Sequence, residues 1–281
     1  MKAIVALSLL VVGCKYPDPG FDRPHDANDD AGDDATPDEM VTPPCLEPGS
    51  IDNMVELPGI EVAGFSPAED ESFAISWLPE MNLGYTDTVP LGESYSPTSN
   101  PKVIRRAHLS PDGTVVYFMG LELNNMGTRR AVRNGAFGTW QADVWSGLPD
   151  SFPGRPTADD QRMFLDNDLI PQEWARNAGT WLLVRNYRPE HFGNEAESKI
   201  TSGNLSPDGN FLVYTLEGPN ENGIHLRVRV NGSFDGFDGA YGRGLAGGPY
   251  RDPVLVANCT KLYVFNTQTR HVERWDVHPL P

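Results

Sequence analysis

Downstream of residue 45 the chain alternates short apolar runs with clusters of turn residues. Five segments share one pattern: GFSPAEDESFAISW (64–77), HLSPDGTVVYF (108–118), RPTADDQRMFL (155–165), NLSPDGNFLVYT (204–215) and PVLVANCTKLYVF (253–265). Two of them contain the same five residues, Leu-Ser-Pro-Asp-Gly, at 109–113 and 205–209. Proline fixes φ and glycine accepts φ > 0, so Pro111-Asp112-Gly113 and Pro207-Asp208-Gly209 read as tight turns. Alternating β-branched and aromatic residues follow each turn, as in a strand. Aligned on Ser66, Ser110, Thr157, Ser206 and Val256, the copies are spaced by 44, 47, 49 and 50 residues. A fixed period of this length marks a repeat architecture.

A second piece recurs after the central turns: RRAVRNGAF (129–137), WLLVRNYRPEHF (181–192) and LRVRVNGSF (226–234), bringing Arg133, Arg185 and Arg229 into correspondence. Asn134-Gly135 and Asn231-Gly232 are hairpin dipeptides. Each unit then reads as four antiparallel strands in about 47 residues, which is the size of a propeller blade. Residues 45–281 number 281 − 44 = 237 and hold about five such units. No stretch sustains a helical period, which disfavours bundles and α/β barrels. The expected fold is all-β: a β-propeller of five four-stranded blades. The last unit is one strand short, because only about 270–277 fits after the strand at 260–266. The stretch 46–57 is expected to supply the missing strand and close the ring.

The N-terminus reads differently. Lys2 is followed by an apolar run from Ala3 to Val12, about half the roughly 20 residues needed to span a bilayer. The run ends in Val11-Val12-Gly13-Cys14. This resembles a bacterial lipobox, and a secretory signal of this form is cleaved. The resemblance implies a signal peptide over 1–13, acylation of Cys14 (palmitate among the expected chains), and anchoring in a membrane through that lipid alone. Lys15 follows the cysteine, where an Asp would retain a Gram-negative lipoprotein at the inner membrane, so the resemblance implies the outer membrane. Residues 15–44 carry nine acids against Lys15 and Arg23. With almost no large apolar side chains, the segment is expected to be a solvated tether. Asp26, Asn28 and Asp30 have EF-hand spacing, but Gly32 is one residue late and no Glu stands at the twelfth position.

With Cys14 lipidated, two of the three cysteines remain in an oxidising compartment. Cys45 opens the folded region and Cys259 lies in the last repeat. A closed propeller sets those two regions side by side, so a Cys45–Cys259 disulfide is expected.

The whole chain has 39 Asp+Glu against 22 Lys+Arg, a formal charge of −17. Phosphates would be repelled, which excludes nucleic acid as the expected partner. Gly 28 and Pro 25 fit turn-rich β structure, and 39% hydrophobic residues are too many for a wholly disordered chain.

Ser-Pro-Asp-Gly followed by an apolar strand resembles the WD-like repeats of TolB-type propellers, found also in many bacterial lipoproteins. The first, third and fifth copies depart from it, at Ala68-Glu69-Asp70, Asp160 and Asn258-Cys259. The resemblance implies a monomeric binding or scaffolding module for an envelope protein or polysaccharide, with no cofactor. A glycoside hydrolase or lyase acting on polysaccharide is the alternative. Asp112, Asp159 and Asp208 recur because the turn recurs, whereas a catalytic pair would be unique. Arg251-Asp252-Pro253 resembles a tripeptide of sucrose-cleaving five-bladed glycosidases, but their early Trp-Met-Asn-Asp-Pro run is missing. Gly138-Thr139-Trp140 matches only the tail of a sialidase Asp-box. The six His are scattered without ligand spacing, and no Gly-Lys-Ser/Thr loop or Gly-x-Ser-x-Gly elbow occurs.

The first strand of a propeller blade lines the central channel. Residues just before the turns are therefore candidates for a binding rim: Arg105, Arg106, His108, Arg155, Asn204, Arg251 and Asp252. Four Arg among them form either a basic funnel for an acidic partner or pairs with neighbouring carboxylates, as buried charges must.

Overall fold

The computed structural model describes residues 44–57, 62–78, 81–86, 96–103, 105–122, 125–134, 140–143, 146–149, 151–166, 170–187, 192, 199–219, 222–235 and 243–281. Residues 1–43, with Cys14 and nearly all of the stretch expected to be signal peptide and tether, lie outside the described residues. The described chain is all-β. Its strands form five antiparallel four-stranded sheets.

Blade 1 comprises β2 (Gly64–Pro67), β3 (Ala74–Trp77), β4 (Met81–Thr86) and β5 (Ser96–Val103). Blade 2 comprises β6 (Arg105–Leu109), β7 (Val115–Glu122), β8 (Asn125–Arg133) and β9 (Trp140–Asp143). Blade 3 comprises β10 (Phe152–Pro156), β11 (Arg162–Asp166), β12 (Gln172–Asn177) and β13 (Thr180–Asn186). Blade 4 comprises β14 (Lys199–Leu205), β15 (Phe211–Glu217), β16 (Asn222–Val228) and β17 (Arg243–Gly247). Blade 5 comprises β18 (Tyr250–Val256), β19 (Lys261–Asn266) and β20 (His271–Pro279), and its outer strand is the N-terminal β1 (Pro48–Leu57). The five innermost strands touch in a ring: β2 against β6, β6 against β10, β10 against β14, β14 against β18, and β18 against β2. This is a five-bladed β-propeller whose two chain ends complete one blade, with Ile51 opposite Val277 and Leu57 opposite Val272.

The core is a set of interfaces between blades. Phe73, Ile75 and Trp77 of blade 1 pack on Leu109, Val116 and Phe118 of blade 2. Tyr117 meets Met163 and Trp181 across blades 2 and 3. Phe164 packs on Tyr187, Leu205 and Tyr214 toward blade 4. Val213 and Leu226 meet Leu255 and Val264 of blade 5, and Val254 and Tyr263 meet Phe65 and Ala74 of blade 1. Burial on both faces explains why second strands carry consecutive apolar residues, at 115–119, 163–165, 211–214 and 262–265, rather than alternating ones. Near the axis the strands come close: a Cβ on Gly154 would lie 2.5 Å from the carbonyl oxygen of Gly203 and 2.6 Å from that of Phe164. Both obstacles are backbone, so only glycine fits there.

The disulfide joins Cys45 to Cys259, with Cα atoms 5.3 Å apart. It sits in the apolar interface between blades 4 and 5.

Two parts of the repeat alignment are corrected by the structure. The turn bond that Ser110 N–H makes to the Val115 carbonyl is repeated by Thr157 to Arg162, by Ser206 to Phe211, and in blade 1 by Ala68 to Phe73. Ala68, not Ser66, is therefore the equivalent position. In blade 5 the closing bond of the turn runs from Thr260 to Ala257, so Ala257 replaces Val256. Ser66 stitches blades instead: its hydroxyl accepts from Leu109 N–H at 3.0 Å. The segment 181–192 also differs from its proposed counterparts. It begins in β13, an outer strand, whereas 129–137 and 226–234 begin in third strands. The true counterpart of Arg133 and Arg229 is Arg176. Their backbone N–H groups donate to Thr114, Gln161 and Asn210, three residues at one place in the turn. Shorter strands, 5 and 6 residues in β11 and β12 against 8 and 9 in β7 and β8, bring Arg176 nearer to its turn Asp, 176 − 159 = 17 residues against 133 − 112 = 21.

Candidate functional site

The recurring aspartates lock the turns. Asp112 accepts from Ser110 Oγ at 2.5 Å, Thr114 N–H at 3.0 Å and Thr114 Oγ1 at 2.7 Å. Asp159 accepts from Thr157 Oγ1 and Gln161 N–H, and Asp208 from Ser206 Oγ and Asn210 N–H. Burial by itself would raise the pKa of Asp112; the bonds from Ser110 and Thr114 outweigh it and hold the carboxyl below its usual value. In blade 1 Asp70 plays the same part with Ser72.

The opposite end of the channel, where the inner strands begin, opens into a pocket of about 500 Å³. All five blades contribute to it: Val62, Ala63 and Trp77 from blade 1, Arg105 and Arg106 from blade 2, Phe152 from blade 3, Lys199, Thr201 and Glu217 from blade 4, and Arg251, Phe265, Thr267 and Arg270 from blade 5. Among the described residues five cations line it against one carboxylate. Arg251 reaches that carboxylate, Glu217, at 3.3 Å in an exposed pair, which contributes little. The Arg105 guanidinium lies 5.7 Å from the centre of the Phe152 ring and the Arg106 guanidinium 4.7 Å.

Irregular backbone aims these side chains. Pairing register shifts at the start of the inner strands, between Arg105 and Ala107, between Ile200 and Ser202, and between Arg251 and Val254. Arg106 and Asp252 both take left-handed φ, +39° and +50°. Non-glycine residues adopt that region at a cost of order 1–3 kcal/mol, so surrounding contacts must hold them there. Here the contact is mutual: Arg106 Nε lies 3.6 Å from Asp252 Oδ1, and Arg106 Nη1 bonds Asp166 Oδ2 at 3.0 Å.

Of the seven predicted rim residues, Arg105, Arg106 and Arg251 line the mouth. His108, Arg155, Asn204 and Asp252 are interior residues of the channel, 0–3% exposed. Each lies deeper along its strand, or behind a bulge, than a simple count of alternate positions allows. His108 Nε2 is 3.9 Å from Asp252 Oδ1. Burial, with the charges of Arg106 and Arg155, depresses the His108 pKa to about 3, so the ring is neutral. Burial also raises the pKa of Asp252; Arg106 and Arg251 oppose the shift and Asp166 adds to it. Arg155 crosses the channel, reaching Glu69 of blade 1 at 3.2 Å and the Leu255 carbonyl of blade 5 at 3.3 Å. Asn204 links three blades, accepting from Arg155 N–H at 2.6 Å and donating to the Pro253 carbonyl at 2.9 Å. The Arg side chains thus divide: Arg106, Arg155 and Arg251 each meet a carboxylate, and Arg105 meets an aromatic ring. Sequence reasoning missed Trp77, Phe152, Lys199, Thr201, Phe265 and Arg270. Lys199 had a usable signal, since it opens an inner strand as Arg105 does.

Among the described residues no group of three or more His, Cys, Asp or Glu side chains is arranged to hold a metal ion.

The fold and its mouth define this chain as a five-bladed β-propeller with a cationic channel entrance. No protein-family model and no curated protein matches it. Solved structures with a similar fold include the Cps50 β-propeller domain from Myceliophteria thermophila, at TM-score 0.50 and 8% identity over 80% of this chain and 100% of that one. A gluconolactonase from Xanthomonas campestris is similar at TM-score 0.48 and 10% identity, over 84% of this chain and 95% of that one. TolB from Acinetobacter baumannii is similar at 0.46 and 13% identity, over 80% of this chain but 54% of that one, so the chain spans about half that protein's length. At these identities the likeness is one of fold.

Proposed function

We propose that this protein is a lipid-anchored component of a bacterial cell envelope whose propeller is a non-enzymatic binding module for an anionic protein or glycan. The observation that carries the reading is the channel mouth, where, among the described residues, Arg105, Arg106, Lys199, Arg251 and Arg270 converge around one carboxylate in a chain of net charge −17. Such a local reversal of sign focuses an attractive field on an anionic partner. Two carboxylates behind the mouth, Asp166 and Asp252, are both buried against Arg106, which supports binding over hydrolysis. The lipobox-like Val11-Val12-Gly13-Cys14 supports the anchor. The buried disulfide supports an oxidising compartment.

Two measurements test this. A fatty-acid probe should label the wild type and not Cys14→Ser; labelling that survives the substitution removes the anchor. Capture from solubilised envelope should retain a partner with the wild type and lose it with the Arg105→Glu/Lys199→Glu variant. Equal capture by both would place binding elsewhere.

A further inference from the structure

The outer edge of blade 3 presents an apolar strand. β13 exposes Leu182, Leu183 and Val184 in succession, at 50%, 43% and 47%. Among the described residues no other outer strand does so. β1 exposes Met54 and Val55, but the exposed acids Asp52 and Glu56 stand on either side of them. Charges of that kind, or a proline, keep a sheet edge from pairing with another strand. β13 has neither an acid nor a proline, and its one charge, Arg185, is held by Asp235 at 3.2 Å.

The backbone determines what this edge offers. Ala178 and Gly179 are both left-handed, at φ +48° and +84°, in a two-residue turn that makes Asn177 and Thr180 a hydrogen-bonded pair. Bonding toward β12 then alternates along β13. Arg176, opposite Trp181, sends its N–H the other way, to the Gln161 carbonyl at 2.7 Å. Leu182 bonds across to Ala175, so Trp181 and Leu183 turn their N–H and C=O groups outward. The register shift comes after Leu183, so both positions lie in regular strand.

We propose that β13 is the interface of a homodimer, pairing antiparallel with β13 of a second copy about a two-fold axis at Leu182. This replaces the monomer implied by the repeat resemblance and is independent of the mouth. The axis sets Trp181 of each copy opposite Leu183 of the other, so the outward groups of both exchange hydrogen bonds. An axis at Leu183 would instead set Trp181 against Arg185, whose groups turn toward β12 in step with the Tyr187 N–H, bonded to the Pro171 carbonyl. About Leu182, that residue meets its own copy and Val184 meets Thr180. Arg185 falls opposite Gly179, so no two like charges on the strands face each other. This match of the strand to itself, in bonding and in charge, selects a second copy as the occupant. The contact is isologous and closes at two copies. The whole-chain charge of −17 opposes association, so pairing should tighten as salt is raised, the reverse of anion binding at the mouth.

The test is cysteine cross-linking of the full-length Cys14→Ser chain in detergent, where the Cys45–Cys259 bond leaves no free thiol. Opposed residues at a non-hydrogen-bonded antiparallel position lie about 4.5 Å apart at Cα, within the range of about 4.4–6.8 Å that a disulfide accepts. Leu182→Cys should therefore form a covalent dimer on mild oxidation. Asn186→Cys, exposed on the same strand but far from its own copy, should not. Light scattering of the wild type should show a monomer–dimer equilibrium that moves toward dimer with concentration and with salt. Leu183→Lys and Val184→Lys, both at exposed positions, should each weaken it about tenfold or more without lowering the melting temperature. If the wild type stays monomeric at every concentration, or Leu182→Cys cross-links no more than Asn186→Cys, the inference fails. If the dimer persists in Leu183→Lys and Val184→Lys, the copies meet elsewhere and it fails as well. If Leu182→Cys in intact cells joins another envelope protein rather than itself, a foreign strand occupies the edge and the second copy is wrong.

Discussion

The backbone N–H of Cys45 donates to Oδ2 of Asp208 at 3.2 Å. Cys45 is bonded through sulfur to Cys259 in blade 5, and Asp208 is the turn acid of blade 4. One residue at the entrance to β1 is therefore fixed to both blades that flank it. Cys259 itself stands third in its turn, where the other four blades place Asp70, Asp112, Asp159 and Asp208. The turn around it has a different form. Ala257, Asn258 and Cys259 are all left-handed, at φ +52°, +55° and +62°. A covalent bond to the chain entrance replaces the carboxylate lock used in the other four blades.

Removing that bond should weaken the fold without abolishing it, because β1 still pairs along β20. The bridge spans 214 residues. The chain-entropy relation assigns such a loop on the order of 5 kcal/mol, an upper value. Cys45→Ser/Cys259→Ser should shift the urea midpoint well below that of the oxidised wild type and match the reduced wild type. Coincident curves for all three would mean the bond contributes nothing to closure.

Replacing a turn acid should cost stability and leave ligand binding intact. Asp112→Ala removes the acceptor for three hydrogen bonds, from Ser110 and Thr114. A loss of about 2–3 kcal/mol is expected. Its pKa is held low, so its contribution is present above the unfolded value of 3.8 and is lost as pH falls below it. Denaturant unfolding at pH 7 and pH 3 reads both effects; a variant as stable as wild type at pH 7 would overturn the turn-lock assignment.

His108 should make the protein sensitive to mild acid. Its folded pKa is depressed to about 3 from 6.5, so between those values the unfolded chain binds a proton that the folded chain refuses. Stability from this source is complete above pH 6.5 and falls as pH drops, by at most about 1.4 kcal/mol per pH unit. Asp252, with its raised pKa, works in the opposite direction, so the comparison of His108→Gln with wild type isolates the histidine. The variant should lose less stability between pH 6.5 and pH 5. Parallel pH profiles would show that the imidazole is not held neutral.

Arg155 is fully buried, and its pKa is lowered to about 10 by that burial, against the pull of Glu69 and Asp112, so it stays charged at neutral pH. Arg155→Met should cost about 3–5 kcal/mol, since it strands the Glu69 carboxylate. Arg155→Met/Glu69→Gln should recover much of the loss. If the double variant is no more stable than the single one, the 3.2 Å pair does not account for the energetics of this crossing.

Blade number, the turns of blades 2, 3 and 4 and the exchange of the N-terminal strand were legible in the sequence. They depend on short-range chemistry: a Pro-Asp-Gly turn dictates its own backbone, an apolar run after it dictates a buried strand, and a ring one strand short must borrow one. The pairing of Cys45 with Cys259 follows from the same closure. Where the turn residues depart from the pattern, the sequence misleads. Ala68 stands where Ser110 does, and only the bond to the Phe73 carbonyl reveals it. The mouth was legible only in part. Arg105, Arg106 and Arg251 could be placed by counting, but bulges and left-handed backbone at Arg106 and Asp252 decide which side chains turn inward. His108, Arg155, Asn204 and Asp252 consequently became interior partners rather than a rim. Trp77 and Phe265 are 265 − 77 = 188 residues apart, yet they line one pocket. No local pattern encodes that meeting, because it exists only once five inter-blade cores have packed and the ring has closed.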